Sequence, residues 1–212
     1  MEMKRFPLGP LWTNGYLLWD EEGRAFFVDP GGDVGDVLLF LEEKNLTLEL
    51  ILLTHAHADH VLGVEALREH ARDGVAIHDD DAAALTDPSG NLSRWMGADC
   101  LCRPADRILR HGEAFSVGSM EIQVIHTPGH SPGSSSYHVR HGEENLLLSG
   151  DTLFAGSIGR SDLPGGDGAE LIRSLRLFTD LPDDLPVYPG HGPSTTIGRE
   201  RRENPYWPHE ER

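Results

Sequence analysis

Short apolar runs, each bounded by glycine, proline or aspartate, recur along the whole chain. Runs of this length between turn residues are typical of β-strands. The first two runs predict a hairpin around the turn at residues 20–24. The predicted strands cover residues 14–19, 25–29, 48–53, 75–78, 114–117, 120–126, 134–140, 145–149 and 187–188.

In other stretches the apolar residues recur every three or four positions. This spacing gives a helix one apolar face and therefore predicts amphipathic helices. The predicted helices cover residues 34–44, 61–72 and 169–181. Residues 79–113 are polar and irregular, and residues 158–168 are rich in glycine, so both segments are predicted to be loops.

Strands and helices follow one another in both halves of the chain, with no fixed-period repeat and no linker long enough to separate two domains. This order predicts a single mixed α+β domain of layered sheets and helices over residues 1–198. Residues 199–212 carry many charges and are predicted to form a peripheral tail.

The charge balance narrows the functional classes. The 212 residues include 18 Lys and Arg against 35 Asp and Glu, which gives a formal net charge of -17. A nucleic-acid binder needs a positive face, so we expect no nucleic-acid partner. No glycine-rich loop ends in Gly-Lys-Ser or Gly-Lys-Thr, which excludes a P-loop.

The apolar runs and the cysteines also indicate the cellular location. No apolar run approaches the ~18–20 residues of a membrane span, and residues 1–8 contain no apolar core of a secretory signal. Cys100 and Cys102 are too close in sequence for an unstrained mutual disulfide. We therefore expect a cytoplasmic protein with reduced thiols and no membrane partner, acting as a monomer or homodimer.

Histidine is the unusual component of this acidic chain, with 12 residues. Three of them lie in the segment Thr54-His55-Ala56-His57-Ala58-Asp59-His60, directly after a predicted strand and before a predicted helix. Three imidazoles and one carboxylate so close together match the ligand chemistry of divalent metals. Side chains alternate along an extended segment, so His55 and His57 are expected to point the same way. Asp59 and His60 then lie at the helix start and can address a second, adjacent metal.

Three later ligand-type residues, His130, Asp151 and His191, each follow a glycine and a predicted strand. A glycine there lets the chain turn sharply and approach a ligand closely. Each Gly-ligand pair alone is more typical of a turn than of a site. Together with the histidine-rich segment, the three pairs indicate a metal centre. The remaining histidines are expected to have structural or surface roles, with His126 a weaker candidate for a supporting role.

The ordered ligand-type residues resemble those of the metallo-β-lactamase superfamily. The resemblance runs from Asp29 to about Asn204. It implies a four-layer αββα sandwich with the site at one edge, between the sheets. It also implies two metal positions that share Asp151, one formed by His55, His57 and His130, and the other by Asp59, His60 and His191.

The phrases around the ligands look most like the short glyoxalase II-like (hydroxyacylglutathione hydrolase-like) subgroup. These phrases lie at residues 127–133, 150–154, 156–162 and 189–198. True β-lactamases commonly place a cysteine in the second metal position, and flavo-diiron proteins place a glutamate at the position of His57. RNase-like members are usually longer. One departure is the helical C-terminal domain that contacts glutathione in full-length glyoxalase II, which is not expected here because few residues follow His191.

The resemblance implies hydrolysis of S-2-hydroxyacylglutathione, such as S-lactoylglutathione, or of a related small thioester. A hydroxide bridging two divalent ions would attack the thioester carbonyl, with zinc expected first and iron or manganese as alternatives. Asp59 is the candidate catalytic residue, because it would hold the second metal and orient the hydroxide. Arg160 is either a substrate contact or a brace for its own loop through Asp162.

Three alternatives remain open at the level of the sequence. A persulfide dioxygenase-like enzyme would use one iron held by His55, His130 and Asp151. A lactonase or phosphodiesterase would use the same dinuclear site on another ester. A metal-binding module without turnover is disfavoured by the complete ligand set, because a structural zinc site is closed by four ligands.

Overall fold

Within residues 1–97 and 99–208, which the computed structural model describes, two β-sheets of six strands each form the centre of the molecule. The first sheet contains, in chain order and in spatial order, β1 (Glu2–Leu8), β2 (Thr13–Trp19), β3 (Arg24–Val28), β4 (Thr47–Leu52), β5 (Val75–His78) and β6 (Arg107–Leu109). β2 is antiparallel to β1 and β3, whereas the pairs from β3 to β6 are parallel.

The second sheet has a different connectivity. Its strands are β7 (Ala114–Val117), β8 (Met120–His126), β9 (Ser135–His141), β10 (Glu144–Gly150), β13 (Pro186–Pro189) and β14 (Thr195–Thr196). Between β10 and β13, the chain forms a separate two-stranded ribbon of β11 (Leu153–Phe154) and β12 (Ser157–Ile158). The spatial order is β14-β13-β10-β9-β8-β7. β9 is antiparallel to β8 and β10, and β10 is parallel to β13. The strands β8, β10 and β13 therefore end at the same edge of the sheet.

Helices lie outside the sheets. They are α1 (Gly35–Glu43), α2 (Ala58–Val61), α3 (Val64–Arg68), α4 (Asp79–Ala82), α5 (Gly168–Leu175) and α6 (Ile197–Glu203). Short 3-10 turns cover Ala83–Thr86, Ser93–Met96 and Arg176–Phe178. In the described part of the chain, no helix is both long and apolar enough to cross a membrane.

Three apolar cores separate four layers. Successive residues of β3 enter different cores, because Phe27 packs with α1 and α3 while Phe26 and Val28 pack against the second sheet. The outer face of the second sheet packs against α5 and the turn after it, through side chains such as Leu147 and Phe178. Because the parallel strands are covered on both faces, their sequences are nearly continuous apolar runs. The predicted αββα sandwich in a single domain is confirmed.

The structure corrects several local expectations. The helix predicted over residues 61–72 is shorter, with α3 covering only Val64–Arg68, whereas residue 61 ends the separate helix α2 on the other side of Gly63. Residues 79–113, predicted to be loops, contain α4 and the edge strand β6. The sequence pattern also missed β1, whose polar residues alternate with the buried Phe6 and Leu8 as in a strand with one exposed face.

The tail is not peripheral throughout. Helix α6 carries the buried Glu200, and Asn204 and Trp207 beyond it are buried as well. Glu200 accepts hydrogen bonds from Thr195 Oγ1 and the Gly156 N–H, which fixes α6 against the second sheet and the ribbon. The expectation of a peripheral tail is therefore wrong for these residues. Residues 209–212 of the predicted tail lie outside the described residues.

Candidate metal centre

Each predicted ligand segment follows a strand and lies at one edge of the sandwich. The first segment leaves β4, passes His55 in extended backbone, and enters α2 with His57 at the N-cap position. Asp59 and His60 lie within α2, so the change from strand to helix turns their side chains to a different point from His55 and His57. The remaining candidates follow β8, β10 and β13.

Glycines let these segments approach one another. Gly150 has a positive φ of 50°, and a Cβ at this position would lie 2.6 Å from Thr54 Cβ, which is too close. A Cβ at Gly190 would overlap the carboxylate of Asp151. The predicted role of the Gly-ligand pairs is therefore confirmed at these positions.

The seven predicted ligands converge into overlapping groups. Within each group, one potential ligand atom per residue lies within 4.8 Å of the others. The groups are His55–His57–His130, His55–His60–Asp151 and Asp59–His60–His191. The first and third groups consist of the residues that the family resemblance assigned to the two metal positions, and the second group connects them through His55, His60 and Asp151. Metal binding by these residues stays a prediction.

Asp151 lies between the two positions. Its Oδ1 is 3.5 Å from His60 Nε2, and its Oδ2 is 3.6 Å from both His130 Nε2 and His191 Nε2. One carboxylate thus faces histidines of both groups. This is the arrangement expected of a shared ligand between two metals.

The donor atoms fit divalent metal ions. Among the described residues, the buried atoms His55 Nε2 and Asp151 Oδ1 have no hydrogen-bond partner, and an unpartnered buried polar atom is costly. His57 Nδ1 and His130 Nε2 face each other at 2.9 Å. Converging imidazole nitrogens and carboxylate oxygens are the ligands that zinc and other divalent transition metals prefer.

Outward hydrogen bonds leave one ring nitrogen of several histidines facing the centre. His60 Nδ1 lies 2.9 Å from Asp29 Oδ2 and donates to it. Thr54 Oγ1 donates to the same carboxylate, so it accepts from His55 Nδ1. His130 Nδ1 donates to the carbonyl of Arg160 at 2.7 Å. Such partners fix the tautomer, so that Nε2 keeps its lone pair for a metal.

The electrostatics of the first group favour neutral imidazoles. Burial, followed by the neighbouring histidines, lowers the pKa of His55 well below its usual range. Burial and His130 lower the pKa of His57 to about 3. Both rings are therefore uncharged at neutral pH and can bind a metal without first losing a proton.

The second group stabilises positive charge. Burial disfavours charge on His60, but Asp151, Asp59 and Asp29 outweigh it and raise the pKa of His60 to about 10. Burial likewise opposes the charge on Asp59, yet His60 and His191 hold its pKa well below the usual range. A divalent cation placed among these carboxylates would replace the imidazolium proton, so its binding releases a proton.

Arg160 contributes to the centre through its backbone carbonyl, as described above. Its exposed side chain forms a two-pronged ion pair with Asp162, with nitrogen–oxygen distances of 2.7 and 2.8 Å. The structure thus contains the ion pair that the brace hypothesis requires. A role of the side chain in substrate binding stays a prediction.

One further group of ligand-type residues is a poor metal site. His78, Asp80 and His126 offer donor atoms within 4.8 Å of one another. The two imidazoles are stacked, with centroids 3.8 Å apart and planes 12° apart. A metal must lie near the plane of each ring that binds it, and two parallel planes share no such point. His126 Nε2 instead lies 2.8 Å from the carbonyl of Pro132.

Sequence reasoning missed the supporting residues. Asp29 and Thr13 lie far along the chain from the ligands they contact, for example Thr13 Oγ1 at 3.4 Å from Asp59 Oδ2. Asn14 donates to the carbonyls of Gly190 and Gly192, on either side of His191. The available signal is the Asp29-Pro30-Gly31 turn directly after a strand. A cavity of about 370 Å³ next to His57 was not predicted either.

Comparison with known protein families shows to which family the chain belongs. A sequence profile described as "Metallo-beta-lactamase superfamily" matches residues 8–191, which include all seven candidate ligands. The chain belongs to the metallo-β-lactamase superfamily. The family resemblance and the fold that it implied are confirmed.

Two bacterial relatives are similar over nearly the whole chain. The "Probable metallo-hydrolase YqgX" of Bacillus subtilis is 38% identical over 209 residues, which are 97% of both chains. The "Hydroxyacylglutathione hydrolase GloC" of Haemophilus influenzae is 35% identical over 211 residues, which are 97% of this chain and 98% of that protein.

Solved structures give a similar result. The BLEG-1 B3 metallo-beta-lactamase is 42% identical with a TM-score of 0.91 and covers 97% of this chain and 99% of its own. TTHA1623 in a di-iron-bound form is 39% identical with a TM-score of 0.84, at 96% and 99% coverage. ETHE1 from Myxococcus xanthus is 34% identical with a TM-score of 0.77, at 97% and 84% coverage.

Proposed function

We propose that this protein is a metal-dependent hydrolase of small thioesters, with S-2-hydroxyacylglutathione, such as S-lactoylglutathione, as its substrate class. The observation that carries the proposal is the convergence of two donor groups on one shared carboxylate, Asp151. The similarity to GloC over almost the full length of both chains supports a thioester as the substrate.

Two divalent ions fit the donor atoms. His55, His57 and His130 would hold one ion, and Asp59, His60 and His191 the other, with Asp151 between them. Zinc is the first expectation, and iron or manganese are alternatives that the same ligands accept. When bound, such an ion lowers the pKa of water to about 7 and polarises a carbonyl oxygen.

The side chain of Asp59 suits the role of the catalytic residue. It is partly open to solvent, with 14% of the side chain exposed, and His60 and His191 keep its pKa low. It therefore stays ionised at neutral pH and accepts a hydrogen bond from the attacking water, which orients it. Thr13 donates to the same carboxylate and limits its rotation. A thiol with a pKa of about 8.5 leaves readily, so a dedicated proton donor is not required.

The cavity beside His57 is the proposed substrate pocket. Its volume of about 370 Å³ lies within the ordinary range for ligand pockets. Ser131 and Pro132, from the loop that carries His130, form one wall, and Gly165 from the glycine-rich loop also lines it. A substrate in this cavity lies next to the first donor group.

The direct test is metal analysis of the purified protein coupled to hydrolysis of S-lactoylglutathione. We expect about two metals per chain, loss of one metal and of turnover in His57→Ala, and loss of both metals and of turnover in Asp151→Ala. The exposed Asp184 supplies a matched control, because Asp184→Ala removes a carboxylate that belongs to none of the ligand groups. Full turnover by a metal-depleted Asp151→Ala protein would refute the scheme.

Persulfide dioxygenation is the second candidate, favoured by the similarity to ETHE1 and to a di-iron-bound neighbour. It predicts oxygen uptake with glutathione persulfide by the iron-loaded protein and no hydrolysis of S-lactoylglutathione. A lactone, a phosphodiester and a β-lactam belong in the same substrate panel, the last because of the similarity to BLEG-1. Metal binding without turnover on any of them would favour a binding module.

The proposal includes the partners expected from the sequence. The substrate is a small molecule, and neither a nucleic acid nor a membrane is required. The protein acts as a monomer or homodimer in the cytoplasm. Size-exclusion chromatography with light scattering tests the oligomeric state.

A further inference from the structure

A buried carboxylate outside the predicted ligand set joins the two ligand loops of the first donor group. Asp81 lies in α4 with only 3% of its surface exposed. Its Oδ2 accepts from the Ala56 N–H at 3.0 Å and from Ser131 Oγ at 2.8 Å. Its Oδ1 accepts from the Gly133 N–H at 2.7 Å. These three hydrogen bonds satisfy a charge that would otherwise be costly to bury.

The donors to Asp81 flank the histidines. Ala56 lies between His55 and His57 on the loop after β4, and Ser131 directly follows His130 on the loop after β8. The first loop belongs to one sheet and the second to the other. One carboxylate therefore fixes the separation between the histidines that the two sheets contribute to the same group.

The loop after β8 is shaped to reach this carboxylate. A Cβ at Gly133 would lie 2.6 Å from Asp81 Cβ and 2.7 Å from Cγ, so only glycine allows this approach. Ser134 Oγ accepts from the Ser131 N–H at 3.0 Å and thereby holds the turn. The turn and Gly133 together bring the loop after β8 into hydrogen-bond contact with the Asp81 carboxylate.

We propose that Asp81 is a positioning residue that sets the metal affinity of the group His55–His57–His130 without acting on the group Asp59–His60–His191. The inference rests on the metal centre of the proposed function, and its test uses no substrate. Asp81 contacts backbone and hydroxyl groups beside the histidines and acts through them.

Asn14 supplies a matched comparison on the other side of the centre. Its Nδ2 donates to the carbonyls of Pro189 and Gly192 at 2.9 and 3.0 Å, and its N–H donates to the carbonyl of Gly190 at 2.7 Å. These contacts surround His191 in the same way as those of Asp81 surround the first group. Beside each donor group, one polar side chain therefore forms hydrogen bonds that connect the two sheets.

The test is an Asp81→Asn variant titrated with Zn²⁺ against a chromophoric chelator. Asparagine keeps the size but turns an acceptor oxygen into an N–H₂ donor that faces the N–H and O–H donors of the loops. In a His191→Ala background, where the first group is intact, we expect a loss in affinity of about 10–100-fold. In a His57→Ala background, where the second group is intact, we expect a change of less than about threefold.

Three further variants serve as controls. Asp80→Asn removes a neighbouring exposed carboxylate and is expected to leave both affinities unchanged. Asn14→Ala is expected to show the opposite pattern, with the loss in the His57→Ala background. If Asp81→Asn does not fold, as measured by circular dichroism, Ser131→Ala removes a single donor and should lower the affinity in the same background by a smaller factor.

The outcomes separate this inference from the proposed function. An equal loss of affinity in both backgrounds, or no loss in either, overturns the positioning role while leaving the metal centre intact. A wild-type protein that binds no metal at all overturns the proposed function as well. A loss confined to the His191→Ala background supports the inference.

Discussion

Arg160 contacts the proposed metal centre through its backbone, while its side chain is paired with Asp162. The backbone carbonyl receives the Nδ1 proton of His130, and the exposed guanidinium binds both carboxylate oxygens of Asp162. An exposed ion pair of this kind contributes little to stability. On the proposed function, we expect the guanidinium to exchange Asp162 for a carboxylate of the substrate.

This exchange predicts a selective effect of Arg160→Ala. We expect KM for S-lactoylglutathione to rise about tenfold, the loss of roughly 1.4 kcal/mol of binding, with kcat and thermal stability little changed. Steady-state kinetics and thermal unfolding check this. The control is Arg173→Ala, which breaks the similarly exposed pair with Glu170. An unchanged KM would leave the brace as the only role of the Arg160 side chain.

At the residue scale, the cluster of candidate ligands was predictable from sequence, and the residues that hydrogen-bond to it were not. His55, His57, Asp59 and His60 occupy one short segment, so their residue types alone indicate a metal. Asp29 and Asp81 act through hydrogen bonds to residues at least 25 positions away. A single aspartate after a strand or in a polar run carries no signal of such a contact.

At the scale of elements, Gly63 separates α3 from α2, and the single helix predicted over residues 61–72 does not form. A Cβ at Gly63 would overlap the carbonyl oxygen of Gly32, and it would lie 2.9 Å from that of Pro30. The periodic apolar residues of this stretch predicted one helix because the pattern does not show how closely another segment passes. The close packing of the segment around the Asp29-Pro30-Gly31 turn against Gly63 therefore determines which residue fits between the two helices.

Gly63→Ala is therefore expected to destabilise the protein, although alanine is the better helix former by about 1 kcal/mol. The backbone at Gly63 has an ordinary φ of -96°, so the cost comes from overlap and not from conformation. We expect a loss of about 1–3 kcal/mol, as for overpacking in a core. Urea denaturation measures it. Gly35→Ala, at an exposed helix start where the nearest atom to the added Cβ is Asp33 Oδ1 at 3.3 Å, should change stability by less than about 0.5 kcal/mol.

Asp20 ties the turns of two hairpins together, one from each sheet. It accepts hydrogen bonds from the backbone N–H groups of Glu22 and Arg24 within its own turn and from that of Ser119 in the β7–β8 turn. Burial opposes its charge, but these hydrogen bonds outweigh burial and lower its pKa below the usual 3.8. The ionised form is therefore favoured by folding.

A depressed pKa predicts that stability from Asp20 is present above pH 3.8 and is lost as the pH falls towards the lower value of the folded state. Asp20→Asn should cost about 1–3 kcal/mol at pH 7. The difference between variant and wild type should shrink below pH 3.8. Urea midpoints at pH 7, 5, 4 and 3 check this. A difference that stays constant over this range would mean that the charge of Asp20 does not contribute.

At the scale of the whole molecule, the candidate metal centre lies where the two halves of the sandwich meet. His55 and His57 come from the first sheet, whereas His130, Asp151 and His191 come from the second. The layered architecture was predictable because the ordered ligands resemble those of one superfamily. The buried contacts of α6 were not, because a charged sequence pattern does not show that Glu200 is satisfied by distant donors.

Because ligands from both sheets meet in the centre, metal removal is expected to lower the stability of the whole fold. An ion that binds only the folded state stabilises it by about 2.7 kcal/mol at 100 times its Kd. For a chain of this size, that corresponds to a fall in Tm of roughly 5–11 °C on full chelation. Differential scanning calorimetry with and without chelator measures the fall, and re-addition of Zn²⁺ should reverse it. The double variant His57→Ala/His191→Ala should show a much smaller response to chelator, because only the group His55–His60–Asp151 is left intact. If the wild-type Tm were equally insensitive, the ions would not join the sheets, and the two donor groups would have to be held together by hydrogen bonds alone.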